Sequence, residues 1–236
     1  MDNLRLRQIL ALLKERKSCS IAELKERFNV SNATIHRDVA LLAERDAIER
    51  VRGGIVYNGP ERTRDGFDNY QNRIVARRRE KISAAQRART LITEGDIIFL
   101  DSSTTVYELA ILLIHSTFDH LTIITNAIPI MNLFRKMPHH WAMIGLGGNF
   151  DPQLNSILGG AAIEQLSRFN ITKAFVSAFG LDDKTATTNH EQQANILRHV
   201  LDAADKKYLI IDHTKIGRKG LYRIAARGGF DAILTD

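Results

Sequence analysis

Cysteine is nearly absent from this 236-residue chain: Cys19 is the only one. A single thiol excludes an internal disulfide framework and a cysteine-based zinc cluster. Long apolar runs are missing too. The longest, Leu109 to Ile114, is far short of the ~18 residues that a membrane span needs. At the N-terminus Asp2, Arg5 and Arg7 interrupt the apolar residues, so no secretory leader is expected. These shortages point to a cytoplasmic protein without a membrane partner. No metal cluster and no cofactor are implied; the adjacent His139 and His140 read as surface loop residues before a strand.

What is present suits a globular chain: 44% hydrophobic and 25% charged residues are enough for a core. The length fits one large domain or two unequal ones. The net charge of +6 is spread unevenly. Residues 1–60 carry 11 Lys and Arg against 8 Asp and Glu, residues 61–90 carry 9 against 4, and residues 91–236 carry 13 against 15. A basic front on a near-neutral body fits a polyanion engaged from one end. A solvated basic linker would give the same count.

Leu6, Ile9, Leu10 and Leu13 recur at helical spacing and predict a helix from about Leu4 to Arg16. Ser20 and Glu23 form a capping box for a short second helix with Ile21, Leu24 and Phe28 inward. After a tight break at Asn29-Val30-Ser31, Ser31 is placed as the next N-cap. Ile35, Val39 and Leu42 then mark the inner face of a third helix. Three helices with a three-residue turn before the third is the helix-turn-helix layout. The outer face of the third helix carries Ala33, His36, Arg37 and Ala40, with Thr34 at its edge. Small residues there allow close approach to a major groove, Arg37 can fork onto a guanine, and Thr34 or His36 can reach bases or phosphates. Ser31 and the free N–H groups of this helix end suit a phosphate, and Asn32 in the first turn joins the candidate set. Ile48 to Val56 reads as two short strands around Gly53-Gly54, a wing whose Arg50 and Arg52 point to one side, toward flanking phosphates.

These residues, Ser20-x-x-Glu-Leu24, Phe28-x-Val30-Ser31-x-x-Thr34-Ile35-x-Arg37-Asp38 and Arg50-x-x-Gly53-Gly54, resemble the DNA-binding domain of the DeoR family of repressors. The chain departs from the family at His36, where a second Arg is usual, at Asp46 for a helix-ending Gly, and at Arg52 for a common His. The first departure implies a different operator preference.

Residues 58–72 are polar and turn-rich, a linker between residues 1–57 and 73–236. Arg73, Arg77, Arg78, Arg79 and Lys81 stud the start of a predicted helix running to Ile92, with Ile82, Ala85, Ala88 and Leu91/Ile92 inward. That strip reads either as a phosphate-attracting surface or as a solvated face. Beyond it, apolar runs at 97–100, 121–125, 141–144, 174–178, 208–211 and 232–234 alternate with helical stretches near 105–114, 127–136, 160–169 and 191–205. The pattern predicts an α/β, Rossmann-like, largely parallel sheet with helices on both faces. In such sheets ligands bind outside the strand C-termini. There lie Asp101-Ser102-Ser103-Thr104-Thr105, four hydroxyls at a helix N-terminus that suit a phosphate, and Thr125-Asn126. There too lie Gly147-Gly148, Gly180, Glu191, and Asp212 with Lys215.

Gly95-Asp96-x-Ile98-Phe99-Leu100-Asp101-Ser102-x-Thr104-Thr105, Thr125-Asn126, Gly147-Gly148, Lys173-Ala174-Phe175 and Asp212-x-x-Lys215-x-Gly217 resemble the DeoR sensor domain. That domain is similar in fold to ribose-5-phosphate isomerases. Ser103 replaces a usual Gly, Ala178-Phe179-Gly180 lacks an acidic residue often found there, and the chain stops at Asp236, where the family continues through another helix and strand. The resemblance implies a repressor of sugar or polyol genes. It would bind a double-stranded DNA operator as a homodimer or homotetramer, under control of a phosphorylated sugar or polyol effector. Two other readings stay open at this point. One is a sugar-phosphate isomerase using Asp101, Glu191 and Lys215, although no tight acid–base cluster is evident; the other is an architectural DNA-binding protein without a ligand.

Overall fold

The computed structural model describes residues 4–44, 48–51, 53–57 and 70–236. The chain divides into two compact units, Met1–Asn72 and Arg73–Asp236. The expected linker 58–72 falls outside the described residues, save that residues 70–72 are already helical.

In the first unit the elements run α1 (Leu4–Arg16), β1 (Ser18–Ser20), α2 (Ile21–Phe28), α3 (Asn32–Glu44), β2 (Ile48–Val51) and β3 (Gly54–Tyr57). The Ser20 hydroxyl accepts from the Glu23 N–H at 3.1 Å, which starts α2. Asn29, in the left-handed conformation, ends it. Leu6, Ile9, Leu13, Leu24, Ile35, Val39 and Leu42 make one core with Ile48 and Ile55. The wing carries a strand that the sequence pattern does not reveal. β1 pairs antiparallel with β3, Cys19 opposite Ile55, and only Cys19 of its three residues is buried. Close approach explains Gly54, because a Cβ there would meet the Cys19 carbonyl oxygen at 2.8 Å.

The boundary between the units falls within α4 (Tyr70–Val75), and the second unit continues with α5 (Arg78–Arg89). This corrects the single helix expected to run to Ile92. Arg77 turns left-handed at φ +51 and breaks the helical hydrogen-bond ladder, although Ala76-Arg77-Arg78-Arg79 has good intrinsic propensity. The inner face also differs from expectation: Lys81, Ala84, Ala85 and Ala88 are buried, while Ile82 is half-exposed. There follow β4 (Ile97–Leu100), α6 (Thr104–Ile114), β5 (Thr122–Thr125), α7 (Ile128–Leu133), β6 (Ala142–Gly145), β7 (Asn149–Asp151), β8 (Ser156–Leu158), α8 (Gly160–Leu166) and β9 (Ile171–Val176). The remainder is β10 (Gly180–Leu181), β11 (Thr185–Thr188), α9 (Glu191–Ala203), β12 (Ala204–Ile210), β13 (Tyr222–Ala226) and β14 (Ala232–Leu234).

The six strands expected from the sequence form one all-parallel sheet in the order β14-β12-β9-β4-β5-β6. Phe99, Ile124, Ala174, Val176 and Leu209 face a core closed by α8 and α9. Ile98, Leu100, Ile123, Phe175 and Ile210 face one closed by α5 and α6. Burial on both faces is why these strands read as continuous apolar runs rather than alternating ones. Two smaller pieces were not expected, the hairpin β7–β8 and the antiparallel sheet β10-β11-β13. The order also has a functional consequence. After β4 the chain builds one flank (β5, β6) and then returns to β9 on β4's other side, so β4 and β9 form the switch point where open α/β sheets bind ligands. No helix among the described residues is long and apolar enough to cross a membrane.

Candidate functional site

Candidate sites lie in each unit. At the start of α3, the Ser31 hydroxyl accepts from the Thr34 N–H at 3.2 Å and shares a hydrogen bond with the Thr34 hydroxyl at 2.9 Å. Asn32, Ala33, His36 and Arg37 are exposed, with Thr34 and Ala40 partly so. Arg50 of β2 is exposed and donates from Nη2 to the His36 carbonyl at 3.3 Å. Arg52 and Asp46 lie outside the described residues. Between α2, α3 and the wing is an open depression of about 530 Å³ whose polar lining includes Lys25, Asn32, His36 and Arg50.

In the second unit the strand ends converge as the topology requires. Asp101, 1% exposed, joins the β4 and β9 loops: its carboxylate accepts from the Ser103 N–H at 2.9 Å and the Ser177 N–H at 2.8 Å. Burial pushes this carboxyl above the usual range, opposed by those hydrogen bonds. Ser103 caps α6, accepting from the Val106 N–H at 3.2 Å. Ser102, Thr104 and Thr105 are buried beside it, and the Thr105 hydroxyl has no hydrogen-bond partner. Thr125 donates to the Leu100 carbonyl at 2.7 Å. Asn126 donates from Nδ2 to the Ile157 carbonyl at 3.1 Å, which docks the β7–β8 hairpin. Lys215 reaches the same edge and donates from Nζ to the Ala178 carbonyl at 2.7 Å and the Ser177 hydroxyl at 3.3 Å.

Two cations assigned to the basic strip belong here instead. Lys81 is 4% exposed, and its ammonium donates to the Arg73 carbonyl across the α4–α5 break. Burial lowers the Lys81 and Lys215 pKa values to about 8 each, with Asp212 pulling the other way in both cases. The charge of Arg73 is felt at Lys81, Lys215 and His190. Lys81 and Lys215 thus both feel Asp212 and the charge of Arg73, and Lys215 also feels Asp101 at the hydroxyl-rich loop; three cations against two carboxylates leave an excess of positive charge suited to an anion.

Not every sequence candidate joins them. The Gly147 N–H and carbonyl are both bonded to the Gln165 side chain at 3.1 Å. A Cβ at Gly148 would stand 2.6 Å from the Leu158 carbonyl oxygen, and one at Gly180 2.3 Å from that of Arg218. Their geometry answers to the chain's own backbone. Glu191 is exposed at the start of α9 and joins none of these bonds.

Comparison with known proteins decides the family. Residues 5–61 match the DeoR-like helix-turn-helix domain and residues 76–236 the DeoR C terminal sensor domain. The chain belongs to the DeoR family. It is a DNA-binding transcriptional regulator. A lactose phosphotransferase system repressor of Staphylococcus epidermidis is 33% identical over 98% of this chain and 91% of its own. In Bacillus subtilis the transcriptional regulator IolR is 30% identical, covering 100% and 91%. The repressor GlcR of the same species is 28% identical, covering 98% and 87%. Among solved structures, ribose 5 phosphate isomerase A from Neisseria gonorrhoeae is similar over 58% of this chain and 52% of its own, at TM-score 0.41 and 13% identity.

In this regulator the inward position of Lys81 was detectable. Lys81, Ala84, Ala85 and Ala88 stand at i, i+3, i+4 and i+7, an inner-face pattern masked by the habit of turning lysine outward. Arg73 left no such trace, since its place depends on the break at Arg77.

A lysine in an unfolded chain titrates near 10.5, these two near 8. Between those values the unfolded state binds more protons, so both groups make stability rise with pH from about 8 to about 10.5 and contribute a constant cost below. Lys81→Met is therefore expected to raise Tm at pH 7 by roughly 2–4 °C, the shift about 1 kcal/mol gives at this domain size, and to flatten that rise. Melting curves from pH 7 to 10 test this, and a lower Tm at pH 7 would mean the ammonium is net stabilising. Gly180→Ala is expected to cost about 1–3 kcal/mol, against under ~1 kcal/mol for Gly147→Ala, whose Cβ meets nothing nearer than Gln165 Nε2 at 3.4 Å. Denaturant titrations of both variants would show equal losses if Gly180 were not held by Arg218.

Proposed function

We propose that the protein represses genes of sugar or polyol metabolism and that a phosphorylated sugar or polyol controls its grip on the operator. The observation carrying this reading is the buried ammonium of Lys215 at the Ser177–Ala178 turn that Asp101 holds, beside the Asp101–Thr105 loop at the sheet's switch point, with Lys81 and Arg73 close enough for their charges to be felt there. The three cations outnumber Asp101 and Asp212, so a phosphate monoester would find positive charge to pair with, and the hydroxyls of its sugar or polyol can pair with the loop's own. The names of the relatives, a lactose phosphotransferase system repressor among them, support the same class of effector.

In this reading residues 1–57 hold the DNA-binding domain, 58–72 join it to the sensor, and 73–236 form the sensor. Ser31, Asn32, Ala33, Thr34, His36 and Arg37 address the groove, while Arg50 and Arg52 address its edges. Half-sites ~34 Å apart, or a multiple of that, require two such heads, hence a homodimer or homotetramer acting on DNA in the cytoplasm. Effector binding favours the arrangement with weaker DNA affinity and shifts the population toward it. The site works by binding rather than by catalysis. Of the residues a catalytic reading would use, Glu191 is exposed at the start of α9 and joins none of the hydrogen bonds of Asp101 or Lys215.

The test is binding to a duplex selected by the protein from a random-sequence pool, at fixed salt, with a panel of sugar phosphates and their unphosphorylated parents. At least one phosphorylated compound is expected to weaken binding while its parent does not. Lys81→Met or Lys215→Met is expected to abolish that response yet keep DNA binding. Arg37→Ala is expected to cut discrimination against random DNA by about 1–3 kcal/mol with effector binding intact. A protein whose DNA binding ignores the whole panel would refute the effector assignment.

A further inference from the structure

The α3 helix is held from behind by a buried charge. Asp38 follows Arg37 directly, yet it is 1% exposed where Arg37 is open to solvent. Its carboxylate takes the guanidinium of Arg5, in the first turn of α1, through two bonds: Nε to Oδ2 at 2.5 Å and Nη2 to Oδ1 at 3.3 Å. A two-point fork fixes orientation as well as distance, which one ammonium does not. From the wing, Arg50 holds the carbonyl of His36. The residues on either side of Arg37 are thus tied to different elements, and Arg37 projects between them.

Stability alone is a poor reason for such a pair, since well-packed apolar residues commonly do as well. Orientation is a better one. A roll of α3 by about 20° would move a group ~6 Å from the helix axis by about 2 Å, enough to break a bidentate contact with a base edge. We propose that Arg5 and Asp38 are positioning residues for operator recognition, setting the roll of α3 that presents Arg37 to the groove. The inference rests on the reading of α3 as the helix that addresses DNA.

The experiment uses the full chain, its selected duplex and a random duplex, over a salt series. The variants are Asp38→Asn, Arg5→Met, the double variant, Arg5→Lys, and Arg37→Ala as reference, each checked by circular dichroism and melting. Asp38→Asn and Arg5→Met are each expected to lower the selected-to-random affinity ratio about tenfold or more. The double variant should fall no lower than the worse single, because one interaction is lost in all three. Asp38→Asn should leave the salt slope unchanged. A folded Asp38→Asn that keeps the parent ratio, or single losses that multiply, would overturn the proposal. So would an Arg5→Met that weakens both duplexes equally and lowers the salt slope by about 1, the mark of a phosphate contact. If Asp38→Asn does not fold, Arg5→Lys decides: it keeps the charge, loses the fork, and must still lose discrimination. An unchanged ratio in Arg37→Ala would instead count against the reading of α3 itself.

Discussion

Strands β4 and β9 lie side by side in the sheet, but the chain leaves them in different directions, toward α6 and toward β10. Two backbone N–H groups, of Ser103 and Ser177, are stranded at that fork, and the buried carboxylate of Asp101 accepts from both. Leaving either unpaired would cost on the order of 1–3 kcal/mol. This one side chain therefore keeps the N-terminus of α6, its hydroxyl-rich loop and the Ser177–Ala178 turn in fixed relation. Lys215 in turn hooks onto that turn. Lys215 has a place to anchor because the fork is closed.

One device recurs within each unit. A long cationic side chain donates to a backbone carbonyl of a neighbouring element: Arg50 at His36, Lys81 at Arg73, Lys215 at Ala178. Each bond joins elements that no sheet ladder connects. In the first unit this cross-bracing costs little, because Arg50 remains exposed. In the second the ammonium groups are withdrawn from water, and desolvation disfavours their charge. A site that stores unfavourable charge in this way gains from an anion that enters it, and binding to the folded state stabilises it by mass action. In the proposed reading, the same burial that lowers stability without ligand would strengthen the response to one.

The division between what sequence determined and what tertiary structure decided follows from the range of the interactions. Binary pattern and capping alone sufficed for α1 to α3, the wing and all six parallel strands, because helical spacing, the Ser20–Glu23 box and doubly buried apolar runs are local signals. The hydroxyl-rich loop was legible for the same reason, as four hydroxyls in a row after a strand. The strands β1, β7, β8, β10, β11 and β13 were not, since they are two to five residues long, carry no doubly buried apolar run and are stabilised by partners rather than by their own pattern. Partner choice is the part a linear pattern does not encode. Arg5 finds Asp38 at 33 residues' distance, and Asp101 finds Ser177 at 76. Where Arg73 is carried relative to Lys81 turns on a left-handed residue at Arg77, which nothing in its own neighbourhood demands. Local sequence therefore determined the elements and the chemistry at their ends. The packed fold decided which of those groups meet, because burial and pairing are properties of two distant segments at once.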